Sequence, residues 1–132
     1  TVEKLYNIET YEQVHQMVST VTCELKENCS LEDIISATFP MASMTGAPKI
    51  RAMQLIDEFE NYSRGPYSGC IGYIKENGDF DLSVLIRSIF YNETESYLSF
   101  SVGSAITAMC DPEKEYEECL LKAAALKKVL EG

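Results

Sequence analysis

The sequence predicts an α+β fold: a three-stranded antiparallel meander with helices packed on it. Three observations carry that expectation. Apolar residues recur at helical spacing between Tyr11 and Asn61, three strand-like runs follow one another from Tyr67 to Gly103, and a proline-led amphipathic stretch closes the chain.

Taken in order, Thr10 and Gln13 have the spacing of a capping box, and Val14, Met17, Val18, Val21 and Leu25 recur behind them, which predicts a first helix from about Tyr11 to Lys26. Ser30 is placed to cap a short second helix through Ala37, and Pro40 disfavours helix at Phe39. After a loop over residues 39–44, the helical pattern resumes with Ile50, Met53, Ile56 and Phe59 on one face. Thr45 as N-cap would put Pro48 in the first turn, where its missing N–H costs nothing, and this helix should end near Asn61. A strand from Tyr67 to Lys75, an Asn77-Gly78 hairpin turn and a strand from Phe80 to Tyr91 follow. The third strand is SYLSFSVG, in which Leu98, Phe100 and Val102 alternate with polar residues. Asp111-Pro112 then starts a last helix that reaches Leu130. Three strands make a narrow sheet, so the chain has the make-up of a piece of something larger.

The 132 residues are one domain's worth, long enough to bury a core without metal or disulfide support. A formal net charge of −10 and the lack of any basic run longer than Lys127-Lys128 leave no surface ready to neutralise phosphates, which argues against nucleic acid as a partner. No apolar run reaches the length of a membrane span and no leader is visible, so the expectation is a soluble cytoplasmic protein. Five cysteines, an odd number without a C-x-x-C pair, read as small buried hydrophobes in a reducing compartment.

Several places could carry chemistry. On the last helix, at about 100° per residue and with Glu115 as zero, Cys119, Ala123, Leu126, Val129 and Leu130 fall between roughly 320° and 80° and mark the inward stripe. Glu115, Glu118 and Lys122 overlap the edge of that stripe. Acids gathered at a partly buried edge need a counter-charge, and oxygen ligands suit Mg²⁺; an ordinary Glu118–Lys122 pair with dipole-favoured acids in the first turns accounts for the same spacing. Arg87, inside the otherwise apolar DLSVLIRSI, must find a carboxylate, either an internal one or one on a ligand. Gly103, in SVGSAIT, admits close approach to backbone N–H groups, or serves a bulge or bend. His15 could donate a proton or simply pack, and Tyr67 could begin a strand as a core tyrosine with a solvated hydroxyl. SMTGAPK, residues 43–49, is a helix cap, an anion site, or both. Together these residues describe a site for a carboxylate-bearing molecule: a helix N-terminus, an arginine, accessible backbone, and acids for a metal.

The ordered runs FPMASMTGAPKIRAMQLIDEFE, RGPYSGCIGY, DLSVLIRS, VGSAIT and DPEKEYEECLLKA resemble the C-terminal half of the chorismate-binding enzymes, over nearly the whole chain. The Ser43-Met44-Thr45 form is more like the aminodeoxychorismate branch of that family than the anthranilate branch. The resemblance implies that residues 1–132 are the C-terminal part of a catalytic domain with a larger α/β sandwich fold. It also implies amination of chorismate to 4-amino-4-deoxychorismate, on the route to p-aminobenzoate and folate, with ammonia from a glutamine amidotransferase; anthranilate formation is the alternative.

Carried over by residue, the resemblance makes Glu118 a Mg²⁺ ligand, with Glu115 ligating directly or through water. The metal would hold the ring carboxylate, with Lys122 beside it. Arg87 and Tyr67 would take the enolpyruvyl carboxylate with the backbone at Gly103 and Ala105, where many members have a second glycine. Ser43 would hydrogen-bond the substrate, and His15 would stand near the departing 4-hydroxyl. The family's Pro-Ile-Lys-Gly-Thr or Pro-Ile-Ala-Gly-Thr segment and its other metal-binding acids do not occur in these residues. The resemblance therefore implies a fragment, inactive alone and with an uncovered apolar surface prone to self-association.

Overall fold

The computed structural model describes residues 1–11 and 15–132 and contains two compact units, Thr1–Phe39 and Pro40–Gly132. Thr1–Phe39 is built from strands β1 (Val2–Thr10) and β2 (His15–Val21), paired antiparallel from Val2↔Val21 to Thr10↔His15, and helix α1 (Leu31–Thr38). The expected first helix is thus a strand over His15–Val21 and irregular over residues 22–26. Of its capping pair, Gln13 lies outside the described residues, as does Val14. Met17, Val18 and Val21 satisfy helical spacing, but Val18, Thr20 and Val21 are β-branched and stiff at χ1, which favours a pleated strand. The hairpin is irregular between Val2 and Asn7, where Tyr6 sits at φ 52° and donates its N–H to Ser19 Oγ at 3.1 Å.

Helix α1 is where its signals put it. Ser30 Oγ accepts the Asp33 N–H at 3.1 Å and Asp33 Oδ2 accepts the Ser30 N–H at 2.9 Å, so two orphan donors are satisfied reciprocally. The Ser30 hydroxyl, 2.7 Å from Asp33 Oδ2, and then the Ser30 N–H hold the Asp33 carboxyl below its ordinary range. The helix stops at Thr38, and Phe39 is extended, as Pro40 requires.

The second unit, Pro40–Gly132, begins with a single 3₁₀ turn, Ala42–Met44, and helix α2 (Lys49–Phe59). Pro48, not Thr45, occupies the N-cap, because Thr45 turns its hydroxyl back to the Met41 carbonyl (3.1 Å) and closes the 3₁₀ turn instead. Strands β3 (Cys70–Ile74), β4 (Phe80–Val84), β5 (Ile89–Asn92) and β6 (Tyr97–Phe100) follow, and helix α3 (Pro112–Glu131) closes the chain. Asp111 caps α3 by accepting the Glu113 N–H, with Pro112 in the first turn.

The α+β class holds, but the meander does not: among the described residues β3 pairs only with β4, and β5 only with β6, each antiparallel. The long strand expected over 80–91 breaks at residues 85–88, where Arg87 adopts φ 52° and Ser88 Oγ donates to the Ile86 carbonyl at 2.9 Å. Tyr67 lies in a turn ahead of β3 rather than within a strand. The Asn77-Gly78 turn is as expected: Gly78 donates to the Lys75 carbonyl at 2.9 Å with φ 88°, a conformation suited to glycine. At the neighbouring pair, a Cβ on Gly72 would stand 1.8 Å from the Asp81 carbonyl oxygen, so this crossing of β3 and β4 admits no side chain there.

The expected core is nearly absent. Among the described residues Tyr67, 8% exposed, is the one buried hydrophobic side chain. On α2 most of the predicted face is turned out, with Ile50 and Phe59 each 69% exposed and Met53 also exposed; of its four residues Ile56 is half-buried, as is Ala52. On α3 the predicted stripe holds for Cys119, Ala123 and Leu126, but Val129 and Leu130 are exposed; of the charged residues expected at its partly buried edge, Glu115 is half-buried and Glu118 and Lys122 are exposed. Cys23 is exposed and the other four cysteines are half-buried, all of them free, so the expectation of buried cysteines is not met. Apolar periodicity marks a face that some surface should cover; it does not say that the surface belongs to the same stretch of chain. Among the described residues no helix is long and apolar enough to cross a membrane.

Candidate functional site

The β3–β4 ladder continues for one step past its strands: Ser68 donates to the Leu85 carbonyl at 3.0 Å and Leu85 to the Gly69 carbonyl at 2.9 Å. Both chains then turn out of the ladder through left-handed residues, Ser68 at φ 66° and Arg87 at φ 52°. That divergence brings Tyr67 and Arg87 to the wall of a cavity of about 790 Å³, within the range of small-molecule sites. The extended segment after β6 supplies Gly103, Ser104 and Ala105, α3 supplies Glu115, Glu118 and Lys122, and the 3₁₀ turn supplies Ser43.

The segment after β6 is tied to α3 at two points. Ser104 Oγ donates to Glu115 Oε2, and Lys122 Nζ donates to the Gly103 carbonyl at 2.9 Å while pairing with Glu118 Oε1 at 2.5 Å. The Lys122 ammonium, through its hydrogen bond first and its charge second, holds the Glu118 carboxyl below its ordinary range. Gly103 packs on Tyr67, where an added Cβ would lie 2.8 Å from the tyrosine Oη. Burial pushes the Tyr67 hydroxyl pKa up, and the nearby Arg64 and Lys122 charges act against that.

The three lining cations, Arg64, Arg87 and Lys122, equal in number the three lining carboxylates, Glu60, Glu115 and Glu118. Arg64 is satisfied by Glu60 and Lys122 by Glu118. Arg87 is exposed, and among the described residues it has no carboxylate partner. The internal acid expected for it is not found; in the exposed break between β4 and β5 the guanidinium is open to water and needs no carboxylate.

Ser43, Tyr67, Arg87, Gly103, Ala105, Glu115, Glu118 and Lys122 therefore line one cavity. His15 is not among the lining residues; it opens β2 in Thr1–Phe39, exposed, with Nδ1 3.1 Å from Thr10 Oγ1. Sequence reasoning missed Arg64 and Glu60, whose i, i+4 spacing was a signal, although Glu60 already lies past the end of α2.

Among the described residues no three His, Cys, Asp or Glu side chains cluster as a metal cage. Mg²⁺ can be bound through as few as one or two carboxylates, but here Glu115 accepts a bond from Ser104 and Glu118 is paired with Lys122, so a metal would have to displace those partners.

A family profile described as chorismate binding enzyme matches residues 1–128. The chain is 46% identical over 129 residues to aminodeoxychorismate synthase of Streptomyces griseus, a match covering 98% of this chain and 18% of that protein. It is 43% identical over 130 residues to anthranilate synthase component 1 of Aquifex aeolicus (strain VF5), covering 98% of this chain and 26% of that one. Among solved structures it is similar to anthranilate synthase component I from Streptococcus pneumoniae TIGR4, with a TM-score of 0.79 and 32% identity over 93% of this chain and 28% of that chain. The chain thus spans well under a third of the length of each of these proteins.

Proposed function

Because the chain belongs to the chorismate binding enzyme family, we propose that it is the C-terminal part of an aminodeoxychorismate synthase component I, converting chorismate and ammonia to 4-amino-4-deoxychorismate. The observation that carries this reading is the assembly of Arg87, Tyr67, Gly103, Glu115, Glu118 and Lys122 around one cavity. The identity to aminodeoxychorismate synthase over nearly the whole chain, and the Ser43-Met44-Thr45 form, favour the 4-amino product. The likeness to anthranilate synthase component I supports the second reading, 2-amination.

In this reading Arg87 and Tyr67 hold the enolpyruvyl carboxylate, and the N–H groups at Gly103 and Ala105 add donors at close range. Ser43 contributes a hydroxyl, and Lys122 would lie beside the ring carboxylate. Glu115 and Glu118 would hold Mg²⁺, which when bound supplies positive charge to the ring carboxylate. Fixing both carboxylates orients the ring, so that addition of ammonia and loss of the 4-hydroxyl proceed from a single pose; positioning and charge stabilisation supply the acceleration. His15 is assigned to the departing hydroxyl on family resemblance alone.

The ammonia would come from a glutamine amidotransferase subunit or domain. A reducing compartment, the cytoplasm, suits five free cysteines. The 132 residues alone are read as inactive, since they span 18% of the Streptomyces griseus protein.

Incubating the full-length protein that carries this segment with chorismate, ammonia and Mg²⁺ tests the proposal by product. Appearance of 4-amino-4-deoxychorismate is expected, and anthranilate in its place would transfer the assignment to the second reading. Glu118→Ala should abolish both turnover and Mg²⁺ binding measured by calorimetry; unchanged Mg²⁺ affinity would remove Glu118 from the metal site.

A further inference from the structure

Arg64 lines the cavity and carries a charge, yet its geometry is that of a clasp rather than an anion receptor. Its Nε and Nη2 make the parallel pair of bonds to Glu60, at 2.7 and 2.5 Å, and its Nη1 donates to the Met44 carbonyl at 2.7 Å and reaches Ser68 Oγ at 3.4 Å. The bonds to Glu60 come first in raising the pKa of the guanidinium, and the Glu60 charge adds to them. The fork is thereby committed to protein partners on three segments: the residue after α2, the 3₁₀ turn, and the turn that holds Tyr67.

Each of those last two segments has bonds of its own, Met44 and Thr45 to Met41 and Ala42 in the one, Tyr67 and Ser68 to Arg64 and Leu85 in the other, but Arg64 bonds to both. A three-residue 3₁₀ turn has poor hydrogen-bond geometry and no length over which to cooperate. The Tyr67 turn ends in left-handed Ser68. Ser43 sits one residue before the carbonyl that Arg64 grips, and Tyr67 one residue before the hydroxyl that it touches. Both line the cavity.

We infer that Arg64 is a positioning residue, whose guanidinium fork sets the separation of Ser43 and Tyr67 across the cavity. The inference rests on the functional reading only for what the cavity binds. Lysine cannot substitute, because a point-like ammonium on a flexible stem cannot grip Glu60 with two bonds while also holding the Met44 carbonyl.

Amide hydrogen exchange on the full-length protein, wild type against Arg64→Lys, tests this without reference to any ligand. Exchange at Met44, Thr45 and Tyr67 should accelerate together by about tenfold or more, while the β5–β6 hairpin keeps its wild-type rates. Unchanged protection at Met44 and Thr45, or uniform loss of protection across the chain, would overturn the inference. Should Arg64→Lys fail to fold, Glu60→Gln weakens the same fork with no change of volume and should accelerate the same amides to a smaller degree; wild-type rates there would overturn it equally. If the wild type turns over chorismate, Arg64→Lys should lower kcat/KM by about tenfold or more, and by several-fold less in a Ser43→Ala background. The same fold loss in both backgrounds would separate Arg64 from Ser43. Failure of the wild type to turn over chorismate would sink the functional reading and leave the exchange result standing.

Discussion

Replacing Gly103 by alanine isolates the close contact that gives the cavity its floor. The new Cβ would come to 2.8 Å of Tyr67 Oη but only to 4.0 Å of Tyr67 Cζ, so the conflict is with one oxygen atom. Tyr67 is 8% exposed and cannot swing into solvent to relieve it. Forcing such a contact costs about 1–3 kcal/mol, which is about 5- to 140-fold in an equilibrium or rate constant. In the full-length protein, kcat/KM for chorismate should fall by that factor in Gly103→Ala. With Tyr67→Phe as the background the oxygen is gone, the remaining separation is ordinary contact, and adding Gly103→Ala should cost within about twofold. Steady-state assays of the wild type, both single variants and the double variant close the cycle. Equal losses from Gly103→Ala in the two backgrounds would show that the glycine is needed for something other than room beside the tyrosine hydroxyl.

Three further outcomes follow from geometry already described. Lys122 lowers the Glu118 pKa, so the contribution of the pair to stability is full above the ordinary carboxyl value of 4.5 and is lost as pH falls through the depressed folded value; carboxyl-carbon NMR should show Glu118 titrating below 4.5 in the wild type and returning toward it in Lys122→Met, and an identical titration in both would contradict the pairing. Ser30→Ala removes half of the reciprocal cap on α1 and should cost that helix about 0.5–2 kcal/mol, read as faster amide exchange confined to residues 31–38; no change there would mean that the cap is idle. The isolated chain exposes Ile106, Leu121 and Met109, the last at 94%, and light scattering should find it self-associating, whereas a monodisperse monomer across a concentration series would refute this.

Elements whose signals are local were legible. Ser30 with Asp33, and Asp111 with Pro112, start helices through bonds within a few residues, and α1 and α3 lie where those signals put them. The β1–β2 hairpin was not legible, because Met17, Val18 and Val21 fit a 3.6 period while β-branching at three of seven positions favours a strand; pairing with β1 decides the matter. The break at Arg87 was hidden for a related reason: a left-handed arginine is held by what surrounds it, not by its own preference. In the site, Glu115, Glu118 and Lys122 followed from helical angles, whereas Ser43, Tyr67 and Ala105 came through family resemblance. Arg64 offered a local signal only in its i, i+4 spacing to Glu60; its bond to the Met44 carbonyl, twenty residues away, is one that no local pattern registers.

The paired left-handed residues Ser68 and Arg87 bear on how tightly a ligand can be held. Each such backbone state costs an L-residue roughly 1–2 kcal/mol, and here that cost is met by folding, before anything enters. A guest would then meet backbone already shaped on both sides of the divergence, and would lose little of its interaction energy to organising it. Recognition of this kind favours rigid guests over flexible ones of equal size.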